Sequence, residues 1–197
     1  MEEVSVKRRF VVLDRDGTII VHRPYLSEPK QVELISGAAI ALRNLQKLGL
    51  GLAVVTNQSG IGRKYFDNTT LASVHGRLGE LLAEEGVVLD GIYACPHVPD
   101  DNCACRKPRP GLVDLAAKEL AFDPREAFVV GDNASDVKLG QQIGAATFLV
   151  RTGYGSRVAA EGLVTPDYTV NSIYQAARLI ELLLAAESRG LSIAQRQ

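Results

Sequence analysis

Phe10-Val11-Val12-Leu13-Asp14-Arg15-Asp16-Gly17-Thr18 is the stretch on which the fold turns. Its first four residues are apolar without alternation, the pattern of a strand buried on both faces of a parallel sheet. Two carboxylates follow, two residues apart, with a glycine to turn the chain. Parallel α/β sheets hold their ligands at the carboxyl ends of the strands. Asp14 and Asp16 therefore stand where chemistry is usually done: one to attack or to bind a metal, the other to move a proton.

Working outward, short β-branched runs alternate with helical patterns. Strands are expected over residues 9–14, 50–56, 91–95, 127–131 and 146–151. Ala38, Ala41, Leu42, Leu45 and Leu48 recur at helical spacing, as do Leu71, Val74, Leu78, Leu81 and Leu82. Further helices are expected over 111–121, 134–143 and 172–187, the last with Ile173, Ala176, Ala177, Ile180 and Leu184 on one face. This alternation predicts a Rossmann-like α/β fold, a mostly parallel sheet with helices on both faces. No repeat or linker divides the 197 residues, so one domain is expected over 1–197, with 188–197 as a flexible polar tail. Residues 19–36 and 96–110 fit neither element type. Both leave the carboxyl ends of strands, and long loops in compact domains are usually functional.

A formal net charge of -1 argues against a nucleic-acid binder. No apolar run approaches a membrane span, and the acidic start Met1-Glu2-Glu3 lacks the pattern of a signal peptide. A cytoplasmic enzyme is the expectation.

Four polar groups end or precede predicted elements: the Asp pair, Thr56-Asn57-Gln58-Ser59-Gly60, Arg106-Lys107-Pro108, and Gly131-Asp132-Asn133-Ala134-Ser135-Asp136. Taken singly, each has a plainer role as a turn, a helix cap or a solvated lysine. Together, at strand ends and helix starts in this order, they offer acids for a divalent cation, a hydroxyl and amides for an anion, and a lysine to neutralise charge. That inventory suits phosphoryl transfer, with an aspartyl-phosphate as covalent intermediate. Mg²⁺ takes one or two carboxylates plus phosphate oxygens, and Asp14 and Asp132 can supply the carboxylates.

Cys95-Pro96-His97 and Cys103-Ala104-Cys105 place three sulfurs and an imidazole within eleven residues. Four such ligands suit a closed, structural Zn²⁺ site, with free cysteines or one reactive thiol as the alternatives. The one-residue spacing requires extended backbone, where residues i and i+2 point to the same side. A zinc clip here would fix the loop so that Arg106 and Lys107 face the substrate.

The four motifs resemble those of the haloacid dehalogenase-like phosphatases: Asp-x-Asp-x-Thr, a Thr after the second strand, a lysine, and Gly-Asp-x-x-x-Asp. The resemblance covers about residues 9–155. It implies Asp14 as nucleophile, Asp16 as general acid and base, and Thr56 and Lys107 as phosphoryl binders. It implies Mg²⁺ held by Asp14, the backbone carbonyl of Asp16 and Asp132, with Asp136 and Asn133 supporting the metal ligands or orienting the lysine. Within the family, Cys-Pro-His and Cys-x-Cys-Arg-Lys-Pro are similar to two subgroups, one acting at C7 of D-glycero-D-manno-heptose 1,7-bisphosphate, the other on histidinol phosphate. The segments 56–63 and 150–155 resemble the heptose subgroup. Ser59 is neutral where the histidinol subgroup more often has Asp, and Arg106 can clamp a second phosphate. Asn57, Gln58, His22, Arg23 and Tyr25 complete the implied substrate contacts, although Arg23-Pro24 departs from the acidic or glycine residues expected there. The chain has no inserted cap domain, so loops must shape the pocket. A small phosphorylated sugar as substrate and a monomer or weak homo-oligomer are the expectations. A phospho-accepting receiver domain is the non-enzyme alternative.

Overall fold

The computed structural model describes residues 8–190. Six strands run parallel in one sheet: β1 Phe10–Leu13, β2 Gly51–Asn57, β3 Gly91–Cys95, β4 Phe128–Gly131, β5 Ala146–Val150 and β6 Tyr168–Val170. Their spatial order is β3-β2-β1-β4-β5-β6. Six helices cover the sheet: α1 Ala38–Lys47, α2 Asn68–Glu84, α3 Gly111–Leu120, α4 Ala134–Ile143, α5 Gly155–Glu161 and α6 Ile173–Ser188. The chain winds to β3 on one side of β1, then returns to β4 on the other. The strand order therefore switches between β1 and β4, and the crevice at their carboxyl ends is the expected ligand site of such a sheet.

The strands alternate between two cores. Val11 and Leu13 of β1, with Leu52 and Val54 of β2, pack under Leu42 and Leu45 of α1, Val74 and Leu78 of α2, and Ile173 and Ile180 of α6. Phe10, Val12, Ala53 and Val55 pack with Leu112, Val113 and Ala116 of α3 and Leu139 of α4. Both faces of β1 are thus apolar, which is why its sequence does not alternate. Truncating a fully buried residue such as Leu42 or Leu78 to alanine removes about 2–5 kcal/mol.

Two elements were not expected from the sequence. β6 is three residues long and only half buried, so it carries no apolar run. α5 has seven residues and no side-chain cap. α6 continues through Ser188, one residue into the expected tail. The last seven residues of that tail, 191–197, and the acidic start at Met1-Glu2-Glu3 lie outside the described residues. The two long loops keep their place: residues 19–36 and 96–110 hold only short 3-10 turns, at Pro29–Gln31 and Pro99–Asp101, and no inserted domain. No helix among the described residues is long and apolar enough to cross a membrane.

Candidate active site

The sheet order brings together the ends of β2, β1 and β4. Asp14 follows β1 and its amide donates to Val130 O of β4 at 2.9 Å. Thr56 lies near the end of β2, and Asp132 comes immediately after β4. The loop after β3 reaches across to add Lys107, whose backbone is held by the Asn57 side chain: Lys107 N–H donates to Asn57 Oδ1 at 3.0 Å, and Asn57 Nδ2 donates to Lys107 O at 3.2 Å.

Lys107 Nζ lies 2.6 Å from Asp14 Oδ1 and 2.7 Å from Asp136 Oδ1, and it donates to Val55 O at 2.7 Å. Asp136 is also a helix cap; its Oδ2 accepts from Asn133 N–H at 3.0 Å and so fixes the first turn of α4. Asp132 is almost fully buried. Tyr154 N–H donates to its Oδ2 at 2.7 Å. Gly17 and Gly153, both at positive φ, press on the same carboxylate: a Cβ would meet Oδ2 at 2.3 Å and 2.0 Å. No other residue fits at either position.

Oxygens of Asp14, Asp132 and Asp136 lie within 4.8 Å of one another. Three carboxylates therefore face one ammonium, and the electrostatics follow. Burial, with Asp136 and Asp16 nearby, pushes Asp14 up to about 6 against the pull of Lys107. Burial, with Asp14 and Asp136, pushes Asp132 up to about 8. Burial lowers Lys107, but the Asp136 and Asp14 carboxylates outweigh it and hold the ammonium above its usual range. Such an excess of hard oxygen donors is what a divalent cation requires.

Asp16 points differently. Its carboxylate is gripped by the buried Arg15, with Nε at 3.0 Å and Nη2 at 2.9 Å from Oδ2, and by Gln58 Nε2 at 2.9 Å. Gln58 Nε2 also donates to Thr56 Oγ1 at 2.8 Å. The acid at Asp16 is thus tied to the end of β2 rather than to the acidic trio. Sequence reasoning placed Gln58 against substrate; here its amide already serves Asp16 and Thr56. It overlooked Arg15, whose place between two acids gives no periodic signal.

All of these groups open into a cleft of about 460 Å³. Asp14, Asp16, Thr56, Lys107, Asp132, Asn133 and Asp136 line it at the strand ends and helix starts. His22, Arg23, Tyr25, Asn57, Gln58, Ser59 and Arg106 line it from the loops after β1, β2 and β3. Tyr154 lines it too; the sequence marks its segment, 150–155, but assigns no contact to the residue itself. Arg23 reaches the wall, but its guanidinium is engaged by Glu33 Oε2 at 2.8 Å and Gln31 O at 3.1 Å.

Beside the cleft, Cys95, His97, Cys103 and Cys105 converge. The sulfurs lie 3.2 to 3.7 Å apart, and His97 Nδ1 is 3.2 Å from Cys105 Sγ and 3.6 Å from Cys95 Sγ. A tetrahedral zinc with Zn–S of about 2.3 Å has edges of about 3.8 Å, so the donor set fits with little rearrangement. Burial pushes Cys95 up to about 12. Desolvation also raises Cys103, but hydrogen bonds from Cys105 and the Arg106 amide outweigh it and bring that thiol down to about 7. The cluster is followed at once by Arg106, whose Nη1 donates back to His97 O at 3.1 Å.

Residues 104–176 match the HAD-hydrolase-like family model. A D-glycero-beta-D-manno-heptose-1,7-bisphosphate 7-phosphatase of Haemophilus influenzae is 41% identical over 182 residues, covering 88% of this chain and 97% of that protein. The Yersinia pestis protein of the same name is 39% identical, covering 87% and 94%. The crystal structure of D,D-heptose 1,7-bisphosphate phosphatase from B. bronchiseptica, complexed with magnesium and phosphate, superposes with a TM-score of 0.83 at 33% identity, covering 89% of this chain and 99% of that one. The relatives are enzymes, which removes the receiver-domain alternative. The chain is a phosphatase and belongs to the HAD-like family of D-glycero-beta-D-manno-heptose-1,7-bisphosphate 7-phosphatases.

Proposed function

We propose that this phosphatase removes the C7 phosphate of D-glycero-D-manno-heptose 1,7-bisphosphate through an aspartyl-phosphate on Asp14, with Mg²⁺ as cofactor. The observation that carries the reading is the meeting of Asp14, Lys107 and Asp132 at the cleft floor, in a chain that spans nearly the full length of relatives bearing that name.

Asp14 attacks phosphorus; the bond from its oxygen to phosphorus forms as the bond from phosphorus to the C7 oxygen breaks. Asp16 gives its proton to that leaving oxygen, then takes one from the water that hydrolyses the acyl phosphate, so inorganic phosphate leaves and both acids are restored. Lys107 Nζ and Thr56 Oγ1 bind the oxygens of the transferring group, where charge is greatest. Asp136 holds Lys107 in place. The acidic excess at the floor fits a divalent cation, which Asp14, Asp132 and the backbone carbonyl of Asp16 would hold. When bound, Mg²⁺ offsets the charge of the phosphoryl oxygens. Zn²⁺ fits the thiol–imidazole cluster as a structural ion, fixing the loop that carries Arg106 and Lys107. Arg106, at the cleft wall, is placed to clamp the second phosphate.

The test is parallel turnover of both anomers of heptose 1,7-bisphosphate and of histidinol phosphate. The expected result is a higher kcat/KM on heptose bisphosphate, β anomer foremost, with the 1-phosphate retained in the product. A preference for histidinol phosphate, or release of the 1-phosphate, would contradict the assignment.

A further inference from the structure

Three large aromatic side chains stand exposed at or beside the cleft: Tyr25 and Tyr154 in its lining, and Tyr65 against Tyr25. Exposed aromatic rings grouped at a cleft mark a surface that meets something. Here two of them also organise the loop. The His22-Arg23-Pro24-Tyr25 segment follows Val21 in the loop after β1, where the Val21 amide donates to Glu33 O at 2.9 Å. From there each end of the segment is clipped to a different part of the chain. His22 Nε2 lies 2.8 Å from the Tyr154 hydroxyl, and the two rings pack 4.5 Å apart. The Arg157 guanidinium also stacks over the Tyr154 ring, 5.5 Å from its centroid. Tyr25 meets the edge of Tyr65 at 4.7 Å between centroids. Tyr65 sits on the loop after β2, which is itself docked on the cysteine loop through Gly62 N–H to Pro96 O at 2.9 Å.

Tyr25 adopts φ 51, a left-handed conformation costly for a bulky residue, so something must hold it there. The Tyr65 contact is the visible restraint. Arg23, between the clips, is tied inward to Glu33 and Gln31. The segment is therefore fixed before any ligand arrives, which cuts the entropy lost on binding.

We infer that Tyr65 and Tyr154 are positioning residues for specificity: they pin residues 22–25 as the wall that meets the sugar, doing with two side-chain contacts what a cap domain would otherwise do. This rests on the phosphatase reading above. The wall touches the organic part of the substrate, whereas the floor handles the phosphoryl group, so losing a clip must discriminate between large and small substrates.

Tyr65→Ala and Tyr154→Phe are the variants; Tyr65 is solvent-exposed, and Tyr154→Phe keeps both ring and backbone amide. For each, kcat/KM on heptose 1,7-bisphosphate should fall about tenfold more than on p-nitrophenyl phosphate, mostly through KM, the equivalent of about 1.4 kcal/mol. Hydrogen exchange at residues 21–26 should quicken in both variants. Equal losses on the two substrates, or unchanged exchange, would overturn the inference. If the parent enzyme turned over p-nitrophenyl phosphate but no heptose bisphosphate, the substrate assignment would fail instead. The exchange result would still decide whether the clips exist.

Discussion

Two clusters of side chains suited to a metal lie near each other in this protein and are built in opposite ways. The acidic one draws Asp14, Asp132 and Asp136 from the ends of β1 and β4 and the start of α4, so only the assembled sheet creates it. The thiol–imidazole one comes from eleven consecutive residues, Cys95 to Cys105, and closes within its own loop. The first is unbalanced in charge and opens into a cleft. The second has four donors that face one another and leave no ligand position for a substrate. That difference separates a site that reacts from a site that holds, and Lys107 joins them, being two residues beyond the last cysteine and bonded to Asp14.

The sharpest break between the two is expected at Asp14. Asp14→Asn should lower kcat by about 10³-fold or more, the scale seen when a nucleophile is removed. The fold should persist, because asparagine can still accept from Lys107 and the change removes one of three crowded carboxylates; thermal unfolding will show it. A folded variant with full activity would end the mechanism. Cys103→Ser should act through position instead. It should reduce bound zinc below the expected one ion per chain and raise KM by about tenfold, with a smaller change in kcat. Elemental analysis beside steady-state kinetics checks both halves, and zinc-free protein with an unchanged KM would show that the clip does not serve the cleft. Asn57→Ala lies between the clusters. Losing its two bonds to the Lys107 backbone should cost about 1–3 kcal/mol of stability and slow turnover modestly.

The smallest effect is a pH dependence. Asp14 and Asp132 have folded pKa values raised to about 6 and about 8, so between the ordinary carboxylate range and those values the metal-free folded state binds more protons than the unfolded one. Stability contributed by these groups is therefore full below about pH 4 and falls as pH rises from there to about 8. Metal-free protein should melt a few degrees lower at pH 8 than at pH 5.5 from this cause, and Mg²⁺ should remove most of the difference at the upper end. Asp132→Asn should flatten the profile and abolish the response to Mg²⁺.

The two clusters were also unequally legible in the sequence. The cysteine set could be read directly, since its ligands are close in the chain and of a rare type. The acidic site was legible as residues, down to Asp136 as an orienter of Lys107 through the family resemblance, but not as geometry: that Arg15 and Gln58 grip Asp16 follows from packing that no spacing encodes. Five strands show themselves as short apolar, β-branched runs and five helices by periodicity, because most of them bury apolar faces. β6 and α5 do not, being short and only partly buried. Tyr65 and Tyr154 belong to the same class of omission. Exposed aromatics have no period, and their contacts with residues 22–25 exist only once distant loops meet.

The most direct test of the central claim, that Asp14 at the floor of the cleft accepts the phosphoryl group, is rapid acid quenching during turnover of heptose 1,7-bisphosphate, followed by mapping of the phosphorylated peptide. The account predicts a transient phosphoryl adduct on Asp14, absent in Asp14→Asn. An adduct on another residue, or turnover with none at any time in a burst that outpaces hydrolysis, would contradict it.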